Sequence, residues 1–200
     1  MGGSEVGMGE VLVVRHGQTE WSRDGRHTSV TDLPLLPEGE KQARALGGAL
    51  NGRRLAEVWV SPRERARRTA ELAGLHPTAV DEDLVEVDYG GYEGRTTPEI
   101  SAELGREWSL WRDGTIPGAT PGETLAQVAA RVDRVIDRAR PRLADGDVVL
   151  VAHGHVLRVL TARWLGLPPE DGRLFALPAG SYGVLGFEHA RPALTGWGLR

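Results

Sequence analysis

The sequence has 200 residues and no cysteine, which excludes disulfide bridges, thiolate nucleophiles and zinc sites with cysteine ligands. Lysine is almost absent as well, since Lys41 is the only lysine among 24 basic residues. Acidic and basic residues are interleaved at a net charge of −4, which disfavours nucleic acid or a membrane surface as partners. No apolar run approaches the ~20 residues of a membrane-spanning helix.

The first nine residues are rich in glycine and lack the basic and apolar regions of a signal peptide. We therefore expect a disordered leader over residues 1–9, a single domain over 10–200 and a cytoplasmic location. The length and the hydrophobic content of 40% are sufficient for one well-buried core.

Two short apolar runs each end in a histidine followed by a glycine. They are residues 11–14, followed by Arg15-His16-Gly17, and residues 147–152, followed by His153-Gly154. Short β-branched runs bounded by glycine are typical of strands buried on both faces of a parallel sheet. Since ligands bind beyond the carboxyl ends of such strands, we expect both histidines in one pocket.

Strands and helices alternate along the rest of the chain. The pattern predicts helices over 37–51, 62–72, 98–111, 123–143 and 155–165. It predicts further strands over 55–60 and 78–87, and edge strands over 175–177, 181–187 and 193–197. The polar segment 22–36 is too irregular for a helix and is expected to fold over the mouth of the pocket. The prediction is an α/β three-layer sandwich, with a mostly parallel central sheet and helices on both faces.

Charged side chains gather at the predicted pocket: Arg15, His16, Arg65, His153 and an acid from the stretch 81–93. Guanidinium groups match phosphate oxygens bidentately, and a neutral imidazole is a competent nucleophile toward phosphorus. Neighbouring cations lower the histidine pKa and stabilise a transferring phosphoryl group. A carboxylic acid can then protonate the leaving oxygen and later activate water. These residue types indicate phosphoryl transfer through a histidine.

Five motifs in order resemble the histidine phosphatase superfamily, in its phosphoglycerate-mutase-like branch. They are RHGQTEW at 15–21, the segments 31–35 and 38–43, SPRERARRTA at 61–70, LVEVDYGGYEG at 84–94, and PGET at 121–124 with VAHGH at 151–155. The resemblance covers about residues 10–187 and implies a phosphoglycerate-mutase-like fold.

The resemblance also implies roles for individual residues. His16 would be the phosphorylated nucleophile, and Arg15, Arg65 and His153 would hold the phosphate. Glu86, rather than Asp88 or Glu93, would be the general acid and base, and the Gly154 N–H would add a donor. No metal and no cofactor are implied, and the partner is a small phosphorylated metabolite.

Ser22, Thr28 and Tyr89 are further candidates for substrate contact. Ser22 stands where relatives often have asparagine, and it can still donate one hydroxyl to phosphate. Ser29 stands where they often have glycine, which changes the backbone freedom of the mouth segment.

The pattern favours a phosphatase of the broad acid phosphatase subgroup. Mutases resemble this chain only up to Glu86 and then carry a longer insertion with a lysine and paired arginines. In this chain no lysine follows Lys41, and the interval from Glu86 to Gly122 is short. A sugar bisphosphatase and a cofactor-dependent phosphoglycerate mutase are the alternatives. A non-catalytic phospho-ligand binder is less favoured because every matching catalytic position is occupied. The C-terminal edge strands could pair two subunits into a homodimer.

The other histidines and acids have simpler interpretations. His27 could touch substrate, and His155 either supports a site residue or caps its helix. A metal site of His16, His153 and His155 is disfavoured, because the adjacent arginines would repel a cation. Glu123 is interpreted as a favourable charge at a helix N-terminus.

Overall fold

The two histidine-terminated runs form the central strands of a six-stranded sheet in the computed structural model, which describes residues 8–200. The strands are β1 (Val11–Arg15), β2 (Leu55–Val60), β3 (Ala79–Val80), β4 (Asp147–Ala152), β5 (Tyr182–Glu188) and β6 (Arg191–Leu199). Their order across the sheet is β3-β2-β4-β1-β5-β6. The first four in this order are parallel, and β5 and β6 complete the sheet as antiparallel strands.

Helices occupy most of the connections between these strands. The α-helices are α1 (Glu20–Arg23), α2 (Pro37–Leu50), α3 (Glu64–Leu72), α4 (Thr97–Leu104), α5 (Leu110–Asp113), α6 (Leu125–Ala139) and α7 (Gly154–Trp164). Short 3₁₀ helices span Glu82–Leu84, Arg140–Ala144 and Pro169–Leu174. The alternation of strand and helix confirms the predicted α/β class.

Alternate residues of the central strands face two separate cores, as expected for a strand buried on both sides. Val13 and Leu150 pack with the apolar stripes of α6 and α7 on one face. Val14 and Val151 pack with α2 and α3 on the other face. The sheet is therefore the middle layer of the predicted three-layer sandwich.

The register of the central pair brings the two histidines to one edge of the sheet. β1 and β4 run parallel with Arg15 opposite Ala152. The N–H of His16 continues the ladder by donating to the Ala152 carbonyl at 3.0 Å. His16 and His153 consequently leave neighbouring strands side by side at their carboxyl ends.

The structure corrects three predicted elements before the long helix. The segment predicted as irregular from residue 22 contains the last two residues of α1, because Thr19 and Ser22 form a capping box. The strand predicted over 78–87 is reduced to β3, because the Asp81 side chain caps the 3₁₀ helix that follows. The helix predicted over 98–111 ends at Leu104, because Gly105 takes a left-handed conformation with φ of 63°.

Two further corrections concern the second half of the chain. The helix predicted over 123–143 is α-helical only to Ala139 and continues as a 3₁₀ turn containing Pro141, since proline has no N–H for the α-helical ladder. The predicted strand 175–177 is not a strand. The predicted strands 181–187 and 193–197 correspond to β5 and β6, but β5 is an interior strand between β1 and β6.

The predicted leader lies mostly on residues 1–7, which are outside the described residues. At its end, the Gly9 N–H donates to the Leu143 carbonyl at 2.8 Å. Within residues 8–200, no helix combines the length and apolarity needed to cross a bilayer.

Candidate active site

His16 lies at the centre of the edge where β1 and β4 end, and its side chain is buried. Its Nδ1 is 2.7 Å from the Gly17 carbonyl. A carbonyl oxygen can only accept, so Nδ1 carries the proton and Nε2 holds the free lone pair. Burial and the charges of Arg65 and Arg15 hold the His16 pKa well below its usual value of 6.5. His16 is therefore a neutral imidazole with Nε2 available.

A close approach of two main chains fixes the turn after His16. A Cβ on Gly17 would lie 2.3 Å from the Gly39 carbonyl oxygen, in the first turn of α2. Any side chain at position 17 would push α2 away from the end of β1. The histidine turn and the start of α2 are thus packed against each other without a gap.

His153 lies beside His16, with the ring centroids 5.2 Å apart and the rings inclined at 62°. The Nε of Arg65 donates to His153 Nδ1 at 3.1 Å, and His153 Nε2 is 2.7 Å from the Ser61 hydroxyl oxygen. Burial and the charge of Arg65 hold the His153 pKa well below 6.5. The structure thus brings the two histidines together at one edge of the sheet.

Arg65 reaches the site from the first turn of α3, as its position after β2 predicted. Its side chain is fully buried and its guanidinium is also bonded to the mouth segment: Nη1 donates to the Thr31 carbonyl at 3.0 Å, and Nη2 to the Thr28 and Ser29 carbonyls at 3.3 and 3.2 Å. Nη1 is also 3.5 Å from Asp32 Oδ1. A phosphate that takes hydrogen bonds from Arg65 must replace some of these acceptors, whereas the guanidinium charge acts on the site in either arrangement.

Arg15 lies across the first turn of α7. Its Nη1 donates to the Leu177 carbonyl at 2.6 Å, and its Nε is buried without a hydrogen-bond partner among the described residues. A Cβ on Gly154 would lie 3.2 Å from Arg15 Cζ. Gly154 therefore lets the guanidinium lie against the helix N-terminus, where main-chain N–H groups favour anions.

Glu86 is held against the same helix start. Its Oε1 accepts from the N–H groups of Val87 at 3.0 Å and Val156 at 2.8 Å, and its Oε2 accepts from the His155 N–H at 3.0 Å. The carboxyl group is buried, and its charge acts on the pKa values of Arg15 and Arg65. Glu86 thus interacts electrostatically with both arginines.

The two neighbouring acids are engaged elsewhere. Asp88 accepts from Gly90 N at 2.9 Å and Thr120 Oγ1 at 2.5 Å, which ties together two loops. Glu93 accepts from the N–H groups of Ser29 and Thr31 at 3.0 Å, which anchors the mouth segment. Their placement agrees with the choice of Glu86 among the three acids.

Arg131 is a positioning residue that the sequence analysis missed. It is buried, donates to the carbonyls of Asp83 and Val85 at 2.7 Å, and pairs with Glu123 at 2.9 Å. Arg131 therefore holds the segment that carries Glu86. Glu123, which was interpreted only as a favourable charge near the start of α6, is also the salt-bridge partner of Arg131. The sequence did contain a signal, because position 131 falls on the apolar face of α6 between Val128 and Val135.

The three residues predicted to contact substrate are hydrogen-bonded to other protein groups. Ser22 Oγ accepts from Thr19 N at 2.8 Å within the capping box. Thr28 Oγ1 donates to the Arg26 carbonyl at 3.1 Å. Tyr89 is 1% exposed, with its hydroxyl 2.6 Å from His155 Nδ1. Contact of Ser22, Thr28 and Tyr89 with substrate stays a prediction.

Aromatic and histidine rings form a cluster around Tyr89 and His155. The ring of His27 lies 4.7 Å from Tyr89 and 5.3 Å from Trp108, and Trp111 lies 5.3 Å from His155. Burial lowers the His27 pKa to about 4 and the His155 pKa well below 6.5. His155 therefore supports Tyr89 as a neutral ring, and His27 is a core residue.

Within residues 8–200, no group of three or more histidine, aspartate or glutamate side chains has the arrangement of a metal site. A groove of about 650 Å³ lies on the outer side of α3, lined by residues such as Pro62, Glu64 and Arg67. None of the predicted catalytic side chains lines it. The side chains predicted to be catalytic therefore lie in the buried cluster around His16 and not in this groove.

Comparison with known proteins shows similarity over most of the chain. The family model described as histidine phosphatase superfamily (branch 1) matches residues 11–200, a range that contains every predicted site residue. The protein is 41% identical over 191 residues to an acid phosphatase of Mycobacterium tuberculosis, covering 94% of this chain and 92% of that protein. It is 39% identical over 183 residues to a sedoheptulose 1,7-bisphosphatase of Saccharomyces cerevisiae, covering 78% of this chain and 67% of that protein.

A solved structure has the same architecture. The product of an open reading frame from Mycobacterium tuberculosis superimposes on this protein with a TM-score of 0.88 at 40% sequence identity, covering 96% of this chain and 97% of that chain. The similarity in fold therefore extends beyond the motifs around the site.

Proposed function

Because the protein belongs to branch 1 of the histidine phosphatase superfamily, we propose that it is a metal-independent phosphatase that hydrolyses small phosphomonoesters through a phosphohistidine on His16. The observation that carries the proposal is the state of His16. It is a neutral, buried imidazole whose Nδ1–H is bonded to Gly17, and it lies close to Arg15 and Arg65. An unprotonated Nε2 in a cationic site is the arrangement that attack on a phosphate dianion requires.

In the first step, Nε2 of His16 attacks phosphorus, a P–N bond forms and the bond from phosphorus to the ester oxygen breaks. Arg15 and Arg65 hold the phosphoryl oxygens, His153 joins them when its Nε2–H exchanges Ser61 for a phosphoryl oxygen, and the Gly154 N–H adds a donor. Glu86 gives its proton to the leaving oxygen, so the alcohol departs neutral. The two guanidinium groups stabilise the charge on the transferring phosphoryl group, which is the usual role of cations in this chemistry.

In the second step, Glu86 takes a proton from water as the water oxygen attacks phosphorus. The P–N bond breaks, inorganic phosphate is released and His16 returns to its neutral form. The three N–H donors from Val87, His155 and Val156 keep the carboxyl group in place through both steps. Glu86 is thus the acid of the first step and the base of the second.

The substrate class is a small phosphorylated metabolite, with the acid phosphatase type as the first candidate. The similarity to an acid phosphatase over 94% of the chain supports this choice. A sugar bisphosphatase is the second candidate, supported by the similarity to sedoheptulose 1,7-bisphosphatase. Mutase activity is less favoured, because the interval from Glu86 to Gly122 has no lysine and no pair of adjacent arginines for a second phosphate. Pairing of subunits into a homodimer stays a prediction.

The test is phosphate release from a panel of phosphomonoesters in the presence of EDTA. The panel contains p-nitrophenyl phosphate, sugar phosphates and bisphosphates, 3-phosphoglycerate, phosphoamino acids and nucleotides. We expect release by the wild type in EDTA and none by His16→Ala, while His76→Ala, which removes an exposed histidine from the outer groove, keeps wild-type activity.

Loss of release in EDTA would overturn the metal-independent mechanism. Isomerisation of 3-phosphoglycerate without release would replace the phosphatase with a mutase. Binding of phosphate without turnover of any ester would leave a phospho-ligand binder.

A further inference from the structure

We propose that Arg63 is a specificity-determining residue that binds a second anionic group of the substrate, remote from the phosphoryl group that is transferred. The proposal rests on the phosphatase function proposed above and names the substrate class of the same site: phosphomonoesters that carry an additional phosphate or carboxylate. Nothing in the catalytic steps requires Arg63.

The position of Arg63 in the fold brings it to the edge of the catalytic cluster. It is the N-cap residue of α3, immediately after the Ser61-Pro62 turn that ends β2. Its main-chain N–H is 3.4 Å from Ser61 Oγ, the atom that contacts His153. Arg65, whose guanidinium also contacts His153, follows two residues later.

The charge of Arg63 acts on residues of the catalytic cluster. Pro62, Glu64 and Arg67 all line the groove on the outer side of α3, and Arg63 does not. The charge of Arg63 lowers the pKa values of both Arg65 and His153, which are buried at the site. Arg63 therefore interacts electrostatically with the site, whereas Pro62, Glu64 and Arg67 line the outer groove.

The guanidinium of Arg63 has no partner in the part of the chain that the structure describes. Its Nε is buried without a hydrogen bond, and no carboxylate oxygen lies within 4.0 Å of it among residues 8–200. The carboxylate at the start of α3, that of Asp32, accepts from Glu64 N at 3.0 Å and lies 3.5 Å from Arg65. No side-chain hydrogen bond of Arg63 is present among residues 8–200, so the Nη groups of its guanidinium are available to an anionic ligand group.

Arg158 provides a contrast at the same site. Its Nε donates to the Gly172 carbonyl and its Nη2 to the Arg173 carbonyl, both at 3.0 Å, and the guanidinium lies 4.6 Å from the Trp111 ring centroid. Arg158 is therefore held by protein groups, whereas Arg63 keeps its donors for a ligand. A planar guanidinium can take a phosphate or a carboxylate as a bidentate partner.

Calorimetric binding in a His16→Ala background tests the proposal without turnover. Two matched pairs of ligands are compared: fructose 6-phosphate with fructose 1,6-bisphosphate, and glycerol 3-phosphate with 3-phosphoglycerate. The first pair differs by a second phosphate and the second pair by a carboxylate. We expect the doubly anionic member of at least one pair to bind about 10-fold tighter, the effect of one charge-assisted hydrogen bond.

Three additional substitutions in that background assign the preference to Arg63. Arg63→Met should reduce the preference to about 2-fold or less, and Arg63→Lys should retain part of it, on the same hydrogen-bond scale. Arg67→Met removes the same charge from the outer face of α3 and should leave the preference intact. Thermal unfolding of each variant shows that it is folded.

The proposal is overturned if neither pair shows a preference, or if Arg63→Met weakens both members of a pair equally. Because binding is measured without hydrolysis, this failure is separate from that of the phosphatase function. A wild type that hydrolyses p-nitrophenyl phosphate but shows no preference would refute only the role of Arg63. A preference without any hydrolysis would refute only the phosphatase.

Discussion

The Nε of Arg65 donates to Nδ1 of His153 across 3.1 Å, with both side chains buried. An arginine Nε–H can only donate, so Nδ1 of His153 must accept and the ring proton lies on Nε2. That proton is directed to the hydroxyl oxygen of Ser61 at 2.7 Å. The ends of β2 and β4 and the first turn of α3 are thus joined by one defined arrangement of protons next to His16.

Ser61→Ala tests this arrangement. The change removes the acceptor of the His153 Nε2–H and leaves a buried donor unsatisfied, which costs about 1–3 kcal/mol. We expect the free energy of unfolding to fall by that amount and kcat/KM for p-nitrophenyl phosphate to fall about 10-fold. The tautomer stays fixed by Arg65, but the ¹⁵N shift of His153 Nε2 should change because its N–H loses its acceptor, and Ser61→Thr should restore it.

Ser101→Ala is the control for Ser61→Ala, because Ser101 accepts from the Trp108 N–H at 3.0 Å in α4 and has no contact with the histidines. It should leave both the kinetics and the His153 shifts unchanged. If Ser61→Ala lowers stability without moving the His153 shifts, Ser61 has only a packing role.

Glu86→Gln tests the general acid through the leaving group. An alkyl phosphate needs a proton on its leaving oxygen, so we expect its kcat to fall about 10²–10⁴-fold. p-Nitrophenol leaves readily as an anion, so p-nitrophenyl phosphate should lose much less in the bond-breaking step. The measurement is single-turnover release of the alcohol from both esters.

Glu93→Gln is the matched control for Glu86→Gln, since Glu93 anchors the Ser29 and Thr31 N–H groups of the mouth segment. Its effect should be of similar size for both esters. Equal losses for the two esters in Glu86→Gln would contradict the assignment of the acid.

Gly154→Ala tests the contact between Arg15 and the start of α7. The added methyl group would lie 3.2 Å from Arg15 Cζ, so the guanidinium must move away from the helix N-terminus. We expect a loss of at least about 10-fold in kcat/KM, a typical consequence of displacing a charged group by a fraction of an ångström. Steady-state kinetics and a thermal unfolding curve separate this loss from misfolding.

Gly48→Ala is the corresponding control, because Gly48 lies in α2 and a methyl group added there would meet no neighbouring atom within 4 Å. The substitution should stabilise the protein by about 0.5–1 kcal/mol, as alanine does in a helix interior, and leave kcat/KM unchanged. Wild-type activity in Gly154→Ala would show that Arg15 does not act from its observed position.

The pH dependence of stability tests the buried state of His27. Its pKa is about 4 in the folded protein, compared with 6.5 for a free side chain, because burial disfavours the charged ring. The unfolded chain therefore binds a proton at a higher pH than the folded protein does. The contribution of neutral His27 to the free energy of unfolding is therefore complete above pH 6.5. It is lost as the pH falls toward 4, which lowers that free energy by up to about 3 kcal/mol.

Urea unfolding at pH values from 7 to 4 measures this dependence. His27→Phe and His27→Gln should both reduce the slope of the free energy of unfolding against pH by about one proton. A loss of packing in either variant shifts the whole curve and does not change this slope. An unchanged slope in both variants would show that His27 does not contribute to the acid destabilisation.

Much of the fold followed from local patterns. The runs at 11–14, 55–60 and 147–152 and the amphipathic stretch beginning at Pro37 predicted elements that the structure contains. The errors arose where local capping ended an element early: the Asp81 cap shortened the strand predicted over 78–87, and the left-handed Gly105 divided the helix predicted over 98–111. Such ends depend on a single side-chain contact or on the backbone conformation of one residue, and hydrophobic periodicity reveals neither.

The sequence by itself determined the parallel central strands and which residue types lie at their carboxyl ends, because both properties are set by near neighbours in the chain. Only the tertiary structure decided which acid interacts with the arginines, which nitrogen of each histidine carries the proton, and which arginine is left without a partner among residues 8–200. Those outcomes depend on contacts between residues far apart in the chain, such as Glu86 with Val156 and Arg65 with His153. The directions of side chains across a sheet edge are fixed only when the strands and helices have packed.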